Sequence, residues 1–220
     1  MGKNLYKIET CLRTAPIDSD AIESPREIAR IYSEAGFDAI IVTNRLNAAV
    51  LSELSKRGNA IEKWLDSYRE LKKFGERLNL KVWLGAEITV SFENASIDDT
   101  DYILYGIDEE FIKRHGDLLE YDLDKLLSVV HEVGGIVIRD CLGDKLARDT
   151  LSDGILIDSG EYSLSLKDYV LSHGKSLVCG SGFLMRGDEV KGATCVSELK
   201  GYGDFVQAVK DGKVSFNKGI

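Results

Sequence analysis

Short β-rich runs alternate along this chain with longer segments of helical periodicity, and this alternation constrains the fold more than any other feature. The run LYKIET at 5–10 is followed by the run FDAIIVTN at 37–44. Between them Ser24, Pro25 and Glu27 supply an N-cap, a proline at the first helical position and a capping-box acid. Strands joined by helices are typical of parallel sheets. The sequence therefore predicts an α/β fold.

The same unit repeats through the rest of the chain. Apolar residues recur at three- and four-residue steps over 60–79, which predicts an amphipathic helix capped by Asn59. We also predict strands at 80–90, 101–107, 134–140, 153–159 and 175–181, a turn or hairpin at 91–100, and helices at 122–135, 143–152, 161–173 and 205–212. About seven β/α units in a single domain, residues 1–220, predict a closed or nearly closed parallel barrel, with an open doubly wound sheet as the alternative.

Charge and composition limit the classes of partner. The 37 acidic residues outnumber the 28 basic ones, and no lysine or arginine cluster is present, so we expect no nucleic-acid partner. No long apolar run occurs at the N-terminus or elsewhere, so we expect no signal peptide and no membrane span, and a cytoplasmic protein. The 4 cysteines form no CxxC pair, which favours free thiols over a zinc ribbon.

Polar residues stand at the ends of the predicted strands. In a parallel barrel these ends converge on one mouth, where ligands bind. The residues that we expect to line this pocket are Glu9, Cys11, Arg13, Asn44, Arg45, Glu87, Asp140, Cys141 and Ser181. Side chains alternate along a strand, so Arg139, which precedes Asp140, is expected to point away from the mouth.

The chain resembles the polymerase and histidinol phosphatase (PHP) superfamily of metal-dependent phosphoesterases in six segments, which are IETCLRT, AGFDAIIVTNR, LKVWLGAEIT, HEVGGIVIRDC, DGILIDSG and CGSGFLMRGDEVKGATCVSEL. The resemblance covers nearly the whole chain. It implies a distorted parallel (β/α)7 barrel of the TIM type that holds up to three metal ions. The family's ligand motifs are HxHT at the first strand end, TDH at the second, GxE at the third, AHP at the fifth and SDxH at the seventh.

This chain departs from the first two motifs at the positions that bind metal. Cys11 and Arg13 stand where the family has two histidines. Asn44 and Arg45 replace the acid and the imidazole of the second motif. The third motif is retained as Gly-Ala-Glu, so Glu87 matches a family ligand.

The later motifs are changed as well. The fifth reads Asp140, Cys141 and Leu142, and the seventh reads Ser-Gly-Phe-Leu at 181–184, without its aspartate and histidine. The resemblance therefore implies a degenerate member of the superfamily that lacks most metal ligands.

The substitutions have a direct chemical consequence. Zinc or manganese needs several imidazole, carboxylate or thiolate donors, whereas a guanidinium stays protonated and has no lone pair to offer. A buried Glu87 without a metal would need another partner, and an arginine satisfies a carboxylate through charge-assisted hydrogen bonds. We therefore predict that Arg13 or Arg45 pairs with Glu87.

Two interpretations of the cysteines stay open. Glu87, Cys11 and Cys141 could form a residual, weak site for zinc or manganese, or the thiols could fill space left by histidines. If the protein were an enzyme, Glu87 and Cys11 would be the catalytic candidates, because nearby arginines lower a thiol pKa. Such a nucleophile needs a base. The three histidines lie in a loop or near helix ends, so none of them is an evident base: His115, His131 and His173.

The arginines at the strand ends also permit two interpretations. Arg13, Arg45 and Arg139 could form a pocket for a small anionic or phosphorylated ligand, or each could neutralise a local acid.

Two classes of function follow. The first is a catalytically inactive, metal-free PHP-like protein that acts as an anion-binding, ligand-binding or regulatory domain and needs no cofactor. The alternative is an enzyme, either a histidinol-phosphatase-like phosphoesterase with a reduced metal site or a metal-free hydrolase. The sequence favours the first class, because phosphoester hydrolysis on this scaffold requires metal-activated water.

Overall fold

A computed structural model describes residues 5–18, 21–90, 100–141, 151–158, 168, 170, 172–182 and 193–217. The strands are β1 (Tyr6–Leu12), β2 (Ala39–Val42), β3 (Lys81–Leu84), β4 (Ala86–Val90), β5 (Thr100–Tyr105), β6 (Ile136–Asp140), β7 (Gly154–Asp158), β8 (Ser176–Gly180), β9 (Ala193–Val196) and β10 (Ser215–Asn217). The helices are α1 (Pro25–Glu34), α2 (Ala48–Ser55), α3 (Ala60–Arg77), α4 (Glu109–Arg114), α5 (Leu123–Glu132) and α6 (Tyr202–Lys210), with a short 3-10 turn at Leu118–Glu120.

Local capping signals fix where the first helices begin. The Ser24 hydroxyl accepts a hydrogen bond from the backbone N–H of Glu27 at 3.3 Å, and Pro25 occupies the first turn of α1. The Asn59 side chain accepts one from Glu62 N at 3.1 Å and opens α3. Both predicted helix starts are confirmed. The helix α2, which is capped by Asn47, was not predicted.

The strands form two five-stranded sheets rather than one parallel set. The first sheet has the order β10-β9-β1-β2-β3 and the second has the order β4-β5-β6-β7-β8. The prediction that all strands are parallel is wrong, because β9 is antiparallel to β1 and β10, and β5 is antiparallel to β4 and β6. A mixed α/β architecture is confirmed. No closed parallel (β/α)7 barrel is found among the described strands.

The predicted strand at 80–90 is divided at Gly85 between the two sheets. A Cβ atom on Gly85 would lie 2.8 Å from the carbonyl oxygen of Leu104 and 3.1 Å from Cγ2 of Thr43, so only glycine lets the backbones approach this closely. The chain leaves the first sheet here and continues as β4. The nine residues between β4 and β5 are too few for a crossover helix, so these two strands pair antiparallel.

The two sheets also approach each other on the other side of the molecule, where β8 lies against β1. The Thr10 hydroxyl donates to the carbonyl oxygen of Cys179 at 3.0 Å. A Cβ atom on Gly180 would lie 2.8 Å from Oγ1 of Thr10 and 2.9 Å from Cβ of Cys11. The Gly85 crossing and this contact therefore bring the ends of β1, β2 and β8 to the start of β4.

The described residues pack into three apolar clusters. One lies between the sheets and helices α1, α3 and α5, a second is enclosed by both sheets and α6, and a third surrounds Cys141 and Cys179. None of the described helices has the length and apolarity that a bilayer-spanning segment requires. The hairpin predicted at 91–100 and the helices predicted at 143–152 and 161–173 lie largely outside the described residues.

Candidate functional site

The backbone holds Arg45 and Glu87 side by side. Glu87 N donates to the carbonyl oxygen of Asn44 at 3.1 Å, and Leu46 N donates to the carbonyl oxygen of Glu87 at 2.8 Å. Arg45 and Glu87 therefore form an isolated parallel bridge between the segment after β2 and the first residues of β4. The position of Glu87 depends on the Gly85 crossing, which carries β4 past the end of β2.

The Glu87 carboxylate is paired with two guanidinium groups. Arg13 donates to its Oε2 from Nε at 3.0 Å and from Nη2 at 2.6 Å. Arg45 donates to Oε1 from Nε at 2.9 Å. The predicted pairing of an arginine with Glu87 is confirmed, and both arginines take part. Because the Glu87 side chain is only 2% exposed, this pairing is what neutralises its charge.

Two aspartates extend the group, which we call the arginine–carboxylate cluster: Arg13, Asp18, Arg45, Glu87 and Asp140. Oδ2 of the buried Asp18 lies 3.7 Å from Nε of Arg13 and 3.7 Å from Nη1 of Arg45. Oδ2 of Asp140 lies 4.0 Å from Nη2 of Arg13. Burial alone would lower the pKa of Arg13, but the Glu87 charge raises that pKa above its ordinary value. Arg13 is therefore a permanent cation.

Asp18 is the site residue that sequence reasoning missed. It follows β1 in the segment APIDSD, whose first residues form a hydrogen-bonded turn in which Ile17 N and Asp18 N both donate to the carbonyl oxygen of Thr14. The available signal was an acidic residue just beyond a strand end. That signal is weak, because acidic residues are also common in exposed turns.

Glu9 and Ser181 lie together in a separate hydrogen-bond network. The buried Glu9 carboxylate accepts from Cys11 N at 2.8 Å and Ser181 N at 3.1 Å through Oε1. It accepts from the Ser181 hydroxyl at 2.6 Å and the Tyr32 hydroxyl at 3.0 Å through Oε2. Burial raises the pKa of Glu9, although these four bonds oppose the rise. This network joins β1, α1 and β8.

Asn44 connects the strand ends to a helix. Its side-chain oxygen accepts from Thr14 N at 2.8 Å, and its amide nitrogen donates to the Ser67 hydroxyl at 3.2 Å. Asn44 is 1% exposed, so its polar groups are directed to protein partners rather than toward a ligand. This arrangement fixes the loop that carries Arg13 against α3.

The two candidate thiols belong to different parts of the core. Cys11 is fully buried in the cluster enclosed by the sheets, and the Thr43 hydroxyl lies 3.7 Å from its sulfur. Burial, and then the charge of Asp140, raises the pKa of Cys11 well above its ordinary value, against the smaller effect of Arg13. Cys141 packs in the cluster around Cys179 instead.

The remaining candidates lie outside the cluster. Arg139 precedes Asp140 on β6, and its buried Nε has no hydrogen-bond partner within the part of the chain described. The histidines have local partners: His115 contacts Tyr121, His131 contacts Asp153 and His173 contacts Ser172. None of these partners belongs to the arginine–carboxylate cluster.

The residues present do not fit the metal site that the family resemblance implies. Both oxygens of Glu87 already accept from guanidinium groups, and a divalent cation next to Arg13 and Arg45 would be repelled. In the described ranges, no group of three or more histidine, cysteine, aspartate or glutamate side chains is arranged to hold one metal ion.

No protein-family model and no curated protein matches the chain. Several solved structures do. One is a two-domain protein from Bacteroides vulgatus that contains a predicted PHP-like metal-dependent phosphoesterase; the TM-score is 0.65 at 13% identity, over 98% of this chain and 65% of that one. The chain thus spans just under two thirds of the length of that protein.

Two further structures are similar. A proposed metal-dependent phosphoesterase from Bifidobacterium adolescentis gives a TM-score of 0.52 at 12% identity, covering 94% of this chain and 96% of that one. An amidohydrolase from Chromobacterium violaceum, with bound sulfate and no metal, gives a TM-score of 0.53 at 13% identity, covering 83% of this chain and 89% of that one. At these identities the similarity establishes the fold alone. The chain has the fold shared by PHP-like metal-dependent phosphoesterases and amidohydrolases.

Proposed function

We propose that this protein is a non-catalytic relative of the metal-dependent phosphoesterases, in which an internal ion-pair cluster takes the place of the metal site. The observation that carries the proposal is that Arg13 and Arg45 both bind Glu87, the one residue that matches a family ligand. The guanidinium groups supply positive charge, but they cannot activate a water molecule. The two guanidinium groups thus supply the positive charge of a metal ion, but not its ability to activate water.

The alternative of a cysteine-dependent hydrolase has little support from the site. Cys11 has no solvent-exposed surface, and its pKa is raised by burial, so the thiolate that would attack a substrate is disfavoured. None of the histidines contacts Cys11 or Glu87 in a way that would provide a general base.

We propose further that the cluster contacts a small anionic or phosphorylated ligand through Arg45. The Arg45 side chain is 39% exposed, compared with 13% for Arg13, and only its Nε is hydrogen-bonded to Glu87. A guanidinium has five N–H groups, so Arg45 retains donors for a carboxylate or a phosphate. The three acidic residues of the cluster limit this affinity, because they outnumber its two arginines.

The proposal of a non-catalytic protein is tested by metal content and turnover together. Protein purified without a metal-affinity tag is analysed by mass spectrometry for metals, and then assayed with p-nitrophenyl phosphate and added manganese or zinc. We expect far less than one metal ion per chain, and turnover no greater than that of Glu87→Gln. Glu110→Gln, on an exposed side chain of α4, is the matched control. Near-stoichiometric metal with turnover that Glu87→Gln abolishes and Glu110→Gln preserves would overturn it.

The ligand is tested separately by calorimetric titration with inorganic phosphate. Arg45→Ala is expected to abolish any saturable heat, whereas Arg57→Ala, at an arginine whose side chain is 61% exposed, is expected to leave it unchanged. Binding that survives Arg45→Ala would show that the anion sits elsewhere.

A further inference from the structure

A cavity lies beside β3, and none of its lining residues belongs to the arginine–carboxylate cluster. Its volume is about 520 Å³, which is within the range of about 300 to 1,000 Å³ typical of small-molecule sites. The C-terminal half of α3, the strand β3, the segment after β5 and the first residue of α6 form its walls. It exists because the two sheets part at Gly85, which leaves β3 as the last strand of the first sheet.

Aromatic side chains form one wall of this cavity. Trp83 and Tyr202 stack with ring centroids 4.9 Å apart and an interplanar angle of 9°. Tyr68, on α3, also lines the cavity, and Nζ of Lys72 lies 5.7 Å from the centroid of its ring. Within the described ranges the indole N–H of the half-buried Trp83 has no hydrogen-bond partner. The wall thus offers flat apolar surface together with a free donor, which is the combination that planar heteroaromatic ligands use.

The outer edge of β3 adds backbone groups to the same cavity. Lys81 N donates to the carbonyl oxygen of Asp38 at 3.0 Å, and Gly85 N donates to that of Val42 at 2.8 Å, so these residues bond toward β2. Backbone groups alternate in direction along a strand in a parallel pair. The N–H and C=O groups of Val82 and Leu84 therefore point to the open edge, where no described strand pairs with them.

Two lysines and two acids line the rim of the cavity. Lys72 and Lys81 are exposed, and neither ammonium group forms an ion pair with a carboxylate in the part of the chain the structure describes. Glu76 contributes one carboxylate on the same helix as Lys72. The other acid of the rim, Asp108, caps α4: its side chain accepts from Phe111 N at 2.8 Å, so the N-terminus of that helix offsets part of its negative charge. The two exposed ammonium groups, neither of which is in an ion pair with a described carboxylate, therefore offer contacts to a negative group of a ligand.

We propose that this cavity binds a small planar aromatic anion, with its ring against Trp83 and its carboxylate or phosphate near Lys72 and Lys81. The indole of Trp83 contacts the face of the ligand ring, and the backbone groups of β3 bind polar atoms on its periphery. The two ammonium groups bind the negative charge. This site shares no residue with the arginine–carboxylate cluster, so it does not depend on the function proposed for that cluster.

Calorimetry and tryptophan fluorescence test the proposal with two anions and their neutral parents. AMP is compared with adenosine, and indole-3-acetate with indole, so that the two arms distinguish a phosphate from a carboxylate. Trp83 is one of 2 tryptophans, and the other, Trp64, is 1% exposed in the core, so a fluorescence change on addition of AMP or adenosine reports on Trp83. Indole and indole-3-acetate fluoresce themselves, so their binding is measured by calorimetry alone. We expect saturable binding of at least one anion, and weaker binding of its neutral parent.

Variants at the rim decide the outcome. Lys72→Ala and Lys81→Ala are each expected to lower the affinity for the anion up to about fivefold, as for loss of an exposed ion pair. Neither is expected to lower the affinity for the neutral parent. Lys73→Ala, at the exposed neighbour of Lys72, is the matched control and is expected to have no effect. These lysines are exposed, so the variants are expected to fold. Trp83→Leu is expected to lower the affinity for both the anion and its neutral parent. The proposal is overturned if neither anion binds, if the lysine variants do not change binding, or if inorganic phosphate binds as tightly as AMP.

Discussion

Arg45 and Glu87 are joined at two levels, by a parallel backbone bridge and by a hydrogen bond of 2.9 Å from Nε to Oε1. The backbone bridge brings the two side chains together whatever their chemical nature. The residue at position 45 is therefore a fixed neighbour of the Glu87 carboxylate. In this chain that neighbour is a cation, and Arg13 supplies a second one from the end of β1.

The two arginines are expected to differ in their contribution to stability. Arg13 donates two hydrogen bonds to Glu87 and is 13% exposed, whereas Arg45 donates one and is 39% exposed. Removal of a partner from a buried pair leaves an uncompensated charge, so Arg13→Ala should lower the free energy of unfolding by about 3 kcal/mol. Arg45→Ala should lower it by about 1 kcal/mol.

Urea unfolding monitored by circular dichroism measures both changes. Arg57→Ala on the surface serves as the control and should leave the midpoint unchanged. Equal losses for Arg13→Ala and Arg45→Ala would show that burial does not set the strength of these pairs.

The buried carboxyl of Glu9 is expected to make stability depend on pH. Its pKa is raised in the folded protein above the ordinary value of 4.5, so the folded state binds the proton more tightly than the unfolded chain. The corresponding stabilisation is complete below about pH 4.5 and is lost as the pH rises through the folded-state pKa. Urea midpoints measured from pH 4.5 upward should therefore contain a falling component from Glu9.

Glu9→Gln should remove that component while preserving the network. The amide oxygen can accept from Cys11 N and Ser181 N, and the amide nitrogen can donate to the hydroxyl groups of Tyr32 and Ser181. The difference between the two midpoint curves isolates Glu9. A difference that stays constant with pH, or that grows in the opposite direction, would contradict the assignment.

The Gly85 crossing is expected to tolerate no side chain. A Cβ atom there would meet the Leu104 carbonyl oxygen at 2.8 Å and Cγ2 of Ile41 at 3.2 Å, so Gly85→Ala forces the two sheets apart. Overpacking of this kind costs about 1 to 3 kcal/mol. Gly203→Ala is the matched control, since no atom lies within 4 Å of a Cβ at that helical position. The urea midpoint of Gly203→Ala should stay the same or rise. An unchanged urea midpoint for Gly85→Ala would mean that the crossing is loosely packed.

The cysteine thiols are expected to be inert in the folded protein. All four cysteines are buried thiols outside any disulfide, and burial raises the pKa of Cys11. Ellman's reagent should label almost none of them under native conditions and all four in urea. Rapid labelling of one thiol in the native protein, lost in Cys11→Ser, would indicate a reactive Cys11 after all.

Features that neighbouring residues determine could be predicted from the sequence. The starts of α1 and α3 follow from caps within three residues of each helix, and apolar runs located the strands up to β8. The Arg13–Glu87 pair was also predictable, because a buried carboxylate without a metal needs a cation. That inference used chemistry rather than geometry.

Features that depend on distant contacts could not be predicted in the same way. The division of the strand at Gly85 is set by the carbonyl oxygen of Leu104, nineteen positions further along the chain. The contribution of Asp18 depends on a turn that folds it back toward Arg13. The contact between Tyr32 and Glu9 joins a helix to a strand. Periodicity shows which face of an element is buried, but not which element covers it.

The pairing of Glu87 with two arginines has a consequence for how the protein matures. The positive charges are built into the polypeptide, so Glu87 has its cationic partners as soon as the chain folds. Under the function proposed above, neither a cellular supply of zinc or manganese nor an insertion step is needed to complete the strand-end site. A chelator such as EDTA should therefore leave the melting temperature of this protein where it was.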